Sequence, residues 1–139
     1  MNLDEFVKRG DVRVASKDEG LIRSLLSNVR RESQYLNTLE LTELSSQTKL
    51  IRHYDMLRMT LEALCSTKGL KLYSHEAITK FLELIDEMEI SKNFERMRVL
   101  RNKINYYGQE IQLNEARQYI EDIKNIVDYL INKYLGEFK

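Results

Sequence analysis

Leu50-Ile51-Arg52-His53-Tyr54-Asp55-Met56-Leu57-Arg58-Met59-Thr60-Leu61-Glu62-Ala63-Leu64 decides the fold class. Leu50, Tyr54, Leu57, Leu61 and Leu64 recur at intervals of four and three, the spacing that gathers side chains on one face of an α-helix. The spacing predicts a long core helix capped by Ser45 or Ser46 and running to about Lys68, with Gly69 as its stop.

The same period appears on both sides of it. Leu21, Leu25, Val29 and Leu36, with Ile22 and Leu26 beside them, predict a helix to about Asn37, with Arg23, Arg30 and Arg31 toward solvent. Ser16 and Glu19 have the spacing of a capping box at its start. Ser74-His75-Glu76 reads as a further N-cap, opening a helix with Ile78, Phe81, Leu82 and Ile85. Ser91 is expected to cap a fourth helix with Phe94, Met97, Leu100, Ile104 and Tyr107 on its apolar face and Gly108 at its end. Residues 86–90 read equally as loop or helix. A fifth helix starts near Asn114 and carries Ala116, Ile120, Ile123, Val127, Leu130, Ile131 and Tyr134. Residues 2–9 form a short helix ended by Gly10, Asp11 to Ala15 an extended lead-in without a partner strand, and Leu70 to Tyr73 a loop. The expected architecture is all-α: one domain, residues 1–139, an up-and-down antiparallel bundle of four to five main helices with a short N-terminal helix.

Composition agrees. The 139 residues suffice for one core, there is no proline, and only five glycines punctuate the chain. Basic and acidic residues balance at 22 each, so the whole molecule carries no net attraction for nucleic acid or a membrane surface. The lone Cys65 excludes an intramolecular disulfide and a cysteine-based zinc site, and a buried, unreactive thiol is its ordinary role. Met1-Asn2-Leu3-Asp4-Glu5 carries acids where a signal peptide carries bases, and no apolar run approaches a membrane span. A cytoplasmic setting is expected. With two histidines and no Glu-x-x-His pair, no metal is expected; with no phosphate-cradling glycine loop, no cofactor.

Chemistry concentrates in Arg96-Met97-Arg98-Val99-Leu100-Arg101-Asn102-Lys103-Ile104-Asn105-Tyr106-Tyr107-Gly108. Arg101 and Asn105 stand one turn apart at the edge of the apolar face, Asn102 and Tyr106 one turn apart further round, and Arg98 within reach of Arg101 and Asn102. Guanidinium, carboxamide and phenol groups so placed can bond phosphate oxygens or base edges, with Tyr106 and Tyr107 available for stacking. The plainer alternative is that Asn105 and Tyr106 end the helix while the arginines pair with Glu95 or a neighbouring helix. His75 reads first as a capping-loop histidine. Glu83, Asp86, Glu87 and Glu89 make an acidic patch, solvated or complementary to a basic partner.

Three segments resemble the HEPN domain family (higher eukaryotes and prokaryotes nucleotide-binding) over nearly the whole length. They are Leu3-Asp4-Glu5-Phe6-Val7-Lys8-Arg9-Gly10 with the helix that follows, Lys68-Gly69-Leu70-Lys71-Leu72-Tyr73-Ser74-His75-Glu76-Ala77 running into Phe81-Leu82, and Arg101-Asn102-Lys103-Ile104-Asn105-Tyr106-Tyr107-Gly108. The resemblance implies a homodimer, here packed around the helix that ends at Gly108, with two such motifs forming a metal-independent endoribonuclease site. It implies that Arg101 holds the scissile phosphate and that Asn102 is the polar residue beside it. Tyr106 stands where the family has a histidine, and no histidine occurs in 101–110. A phenol of pKa about 10 accepts protons poorly at neutral pH. The expected protein is therefore a catalytically weakened member that binds RNA or nucleotide through Arg98, Arg101, Asn102, Asn105 and Tyr106. Family resemblance also implies a minimal nucleotidyltransferase partner in a toxin–antitoxin-like pair, with Tyr106 or Tyr107 as a possible acceptor of AMP. An active ribonuclease toxin in which Arg101 and Asn102 suffice, with Tyr106 the further catalytic candidate, and a purely structural interaction module, are the alternatives.

Overall fold

A computed structural model describes residues 2–139. Six α-helices dominate it: α1 (Leu3–Arg9), α2 (Glu19–Asn37), α3 (Ser46–Thr67), α4 (His75–Leu84), α5 (Met88–Tyr107) and α6 (Leu113–Tyr134). Two short strands, β1 (Val12–Val14) and β2 (Leu70–Leu72), and a closing 3-10 turn, Gly136–Phe138, complete it. The molecule is a small, mostly helical domain of the helical-bundle kind. No helix among the described residues is long and apolar enough to cross a membrane.

α3 is the hub. It packs against α2, α5, α6 and β2, and Leu57, Leu61, Ala63 and Leu64 are wholly buried. Its polar residues on buried faces satisfy themselves on their own helix: Thr60 Oγ1 donates to the Met56 carbonyl at 2.8 Å, and His53 Nδ1 lies 2.7 Å from the Lys49 carbonyl. Burial lowers the His53 pKa, and this histidine is structural.

The extended lead-in does have a partner. β1 pairs antiparallel with β2, Val12 opposite Leu72 and Val14 opposite Leu70. The expected loop after α3 is thus a strand. Gly69 permits the pairing: its φ is +71°, and a Cβ there would lie 2.6 Å from the Ala15 carbonyl oxygen, while the Gly69 carbonyl accepts the Ala15 N–H at 2.7 Å. Val12 then packs with Phe6 and Ala77, docking the N-terminal segment on α4.

Helix starts differ from expectation in three places. The cap of α2 is Asp18, whose carboxylate accepts the Leu21 N–H at 3.0 Å, so Ser16 and Glu19 form no capping box. Ser45 occupies the α3 cap position without a side-chain capping bond. α5 begins at Met88, one turn before Ser91, which is buried inside the helix and donates to the Thr79 carbonyl of α4 at 3.1 Å. Asp86, at φ +67°, turns the chain between α4 and α5. Ser74 does cap α4, accepting the Ala77 N–H at 3.1 Å.

Glu87 does not belong to a solvated acidic patch. It is buried, and its Oε1 accepts hydrogen bonds from Tyr134 Oη (2.6 Å), Tyr129 Oη (2.7 Å) and Lys133 Nζ (3.0 Å), tying the α4–α5 turn to α6. Burial alone raises its pKa, but the bonds from the two tyrosines and the lysine outweigh that and hold it below its ordinary value.

Two stability predictions follow from these joints. Gly69→Ala is expected to destabilise the fold by more than ~1 kcal/mol, because the left-handed backbone and the Ala15 carbonyl both oppose a Cβ; chemical denaturation measures it. Glu87→Gln is expected to cost about 1–3 kcal/mol at pH 7. Because the folded pKa of Glu87 is depressed, its contribution is complete above the unfolded carboxyl pKa of about 4.3 and is lost as pH falls through the folded value. The wild-type and Glu87→Gln denaturation curves therefore converge in acid.

Candidate phosphate-binding site

α5 turns Ile90, Phe94, Met97, Leu100 and Ile104 into the core. That leaves Arg98, Arg101 and Asn102 at the edge of the buried face, and Asn105, Tyr106 and Tyr107 outside it. Tyr107, expected on the apolar face, is 81% exposed, and Tyr106 is 69% exposed. Gly108 ends the helix at φ +64°, as its position predicted.

The arginines have different partners. Arg98 makes a forked pair with Glu95, Nε at 3.1 Å and Nη2 at 2.7 Å. Arg101 has no carboxylate partner among the described residues. Its guanidinium lies over the Tyr54 ring of α3, 5.6 Å from the centroid, and its Nη1 reaches Asn102 Oδ1 at 3.4 Å. Its Nε is buried and makes no hydrogen bond. A buried donor without an acceptor is costly, and on a cation more so. The plainer sequence reading therefore holds for Arg98 and not for Arg101.

Tyr54 is the common centre of this cluster. Burial raises its pKa, against the opposing charges of Arg101, Arg58 and Arg98. It also lines a cleft of about 410 Å³ between α3, β2 and α4, with Arg58, Glu62 and His75 at its polar side. Sequence reasoning placed Tyr54 only in the core and did not bring Arg58 to the site. Their spacing, four residues apart on the core helix, was the available signal. Cys65 lines the same cleft from beneath, and burial pushes its thiol up to about 12.

His75 was read as a capping-loop residue. It is the first residue of α4, and its ring faces α5, with Nε2 3.9 Å from Glu95 Oε2. The Arg98 hydrogen bonds, with lesser help from the charges of Arg98 and His75, hold Glu95 below its ordinary pKa. Six side chains from three helices thus gather around Tyr54 and Glu95: Tyr54 and Arg58 on α3, His75 on α4, and Glu95, Arg98 and Arg101 on α5, Arg101 lying over the Tyr54 ring. Asn105 and Tyr106 are exposed beyond this cluster. Among the described residues no group of three or more histidine, cysteine or acidic side chains is arranged to hold a metal ion.

Comparison of the chain with protein-family models, with curated proteins and with solved structures finds no match.

Cys65 offers a check on the packing around this cleft. A thiol of pKa about 12 has a thiolate fraction at neutral pH on the order of 10³ below that of a free cysteine. A disulfide reagent is therefore expected to label Cys65 only after denaturation. Stoichiometric labelling of the folded protein within minutes means that the cleft opens to the core.

Proposed function

We propose that the chain is a HEPN-type protein, an up-and-down antiparallel helical bundle that works as a homodimer around α5. It binds RNA or nucleotide phosphate through Arg98, Arg101 and Asn102, with Asn105 and Tyr106 extending the surface toward the helix end. The observation that carries this reading is Arg101: a half-buried guanidinium with no carboxylate partner and a buried Nε that bonds nothing. A phosphate is the group that suits it, since the guanidinium fork matches phosphate oxygens and the neighbouring Arg98 and Arg58 add to the positive field. Asn102, which meets Arg101 at 3.4 Å, holds the fork in place. Tyr106 in the position of the family histidine leaves the motif itself without a proton acceptor suited to neutral pH, so the chemistry is weakened relative to the family.

On this reading the partner is a minimal nucleotidyltransferase, as in toxin–antitoxin-like pairs. The exposed phenols of Tyr106 and Tyr107 have the accessibility that an acceptor of AMP needs.

Filter binding of a mixed RNA pool in EDTA, wild type beside Arg101→Ala, tests the proposal. Arg101→Ala is expected to weaken binding on the order of tenfold, about 1.4 kcal/mol, and to lower the slope of log affinity against log salt by about one. Its thermal midpoint is expected to stay close to wild type, because the lost side chain carries an unmet donor. Equal affinity of the two proteins, or no binding by either at low salt, refutes the reading.

A further inference from the structure

Tyr73 N–H donates to the Asp11 carbonyl, and the Gly69 carbonyl accepts the Ala15 N–H, both at 2.7 Å. Facing residues of an antiparallel pair alternate between exchanging hydrogen bonds and not exchanging them. Asp11–Tyr73, Arg13–Lys71 and Ala15–Gly69 are therefore the bonded pairs of the β1–β2 ribbon, and Val12–Leu72 and Val14–Leu70 are the others. The N–H and C=O groups of Leu70 and Leu72 consequently point away from β1. Among the described residues no backbone hydrogen bond from elsewhere reaches them. They present donors and acceptors in the alternation of an unpaired strand edge. That edge opens on the cleft of about 410 Å³ beside α3. The consecutive residues Leu70 to Ser74 all line it, and no residue of β1 does. Side chains of a strand alternate between its faces, so an unbroken run along the wall means that the cleft meets the backbone edge of β2. Opposite stands α3, with Tyr54, Arg58, Glu62 and Ser66 at every fourth position. These four span about 18 Å of helix, the length of about five extended residues.

From this geometry we infer that the cleft binds an extended peptide segment, which adds to β2 as a third strand. The inference stands on the β2 edge and does not depend on phosphate binding at Arg101. Extended polypeptide is the ligand whose own N–H and C=O groups match such an edge. Leu70 and Leu72 turn their side chains to the core, and the peptide side chains that continue this inner face lie over α3. Charge there selects the peptide. The Arg58 side chain is 55% exposed, and its one carboxylate contact is loose, Nε standing 4.0 Å from Asp55 Oδ1. Glu62, one turn further on, is also exposed. One turn of helix, about 6 Å, is close to the advance of two strand residues, about 6.7 Å. An acidic residue and a basic residue two positions apart on the peptide therefore meet Arg58 and Glu62. A second copy of the chain does not fit the cleft, because its β2 edge is flanked by its own α3.

The test follows amide hydrogen exchange of the full chain by NMR, with and without a millimolar end-blocked peptide, Thr-Glu-Val-Lys-Thr. Exchange at the Leu70 and Leu72 amides is expected to slow at least about tenfold, while Tyr73, already bonded to β1, changes little. Two N-methylated peptides serve as controls, one methylated on its Glu and Lys and the other on its central Val. One of them is expected to lose binding and the other to keep it, because only one edge of the peptide backbone faces β2. Arg58→Glu is expected to weaken the parent peptide on the order of tenfold and to prefer a peptide with Lys in place of its Glu. Unchanged exchange at Leu70 and Leu72 overturns the proposal, as does full binding by both N-methylated peptides. The same peptide preference in wild type and Arg58→Glu overturns the placement over α3. Protection of Leu70 and Leu72 that grows with protein concentration in the absence of peptide assigns the edge to a second copy, and overturns the peptide as its occupant.

Discussion

Burial of α3 on nearly every side is the constraint on which the rest of the structure depends. α2 and α6 flank it, α5 crosses it, and β2 continues from its end. Each fully buried leucine of Leu57, Leu61 and Leu64 contributes roughly 1.5–3 kcal/mol by leaving water. A helix buried this completely has no room for unsatisfied polar groups. His53 and Thr60 are tolerated because each bonds a carbonyl one turn back on the same helix. The other helices can then be amphipathic in the ordinary way, with one apolar face toward α3 and charge outside.

The candidate site is a consequence of that crossing. Tyr54 belongs to the α3 core and stacks in parallel on Phe94 of α5, with ring centroids 5.8 Å apart. The same contact that seats α5 on α3 sets Arg101, two turns after Phe94, above the Tyr54 ring. Arginine suits this place better than lysine: the planar guanidinium lies on an aromatic face and still presents donors outward, whereas an ammonium there loses its hydration shell. The fold thus holds the Arg101 guanidinium partly out of water, with no carboxylate paired to it among the described residues.

Helix existence was legible because the period of three and four is strong in every long segment, and glycines stand at the ends where the backbone turns left-handed, as at Gly10 and Gly108. The β1–β2 pair was not. Three residues on each side give too short an alternation to read, and the pairing depends on Gly69 approaching Ala15, which are distant in sequence. Helix starts misled where several capping residues compete: Asp18 displaced Ser16, and Ser91 bonds α4 instead of capping α5. At the site, Arg98, Arg101 and Asn102 could be found from spacing on one helix. Tyr54, Arg58 and His75 could not be joined to them, because their proximity is set by how α3, α4 and α5 meet.

The two arginines of the motif stand in different states. Arg98 is committed to Glu95 in a partly exposed forked pair, the kind of surface ion pair whose net worth is about 0–1 kcal/mol. A phosphate group offering guanidinium-matched oxygens can compete with a pair of so little net worth. Arg101 has no such pair to give up and already carries the cost of a buried, unbonded Nε. On the phosphate-binding reading, an anion is favoured first at Arg101, with Arg98 following by exchange.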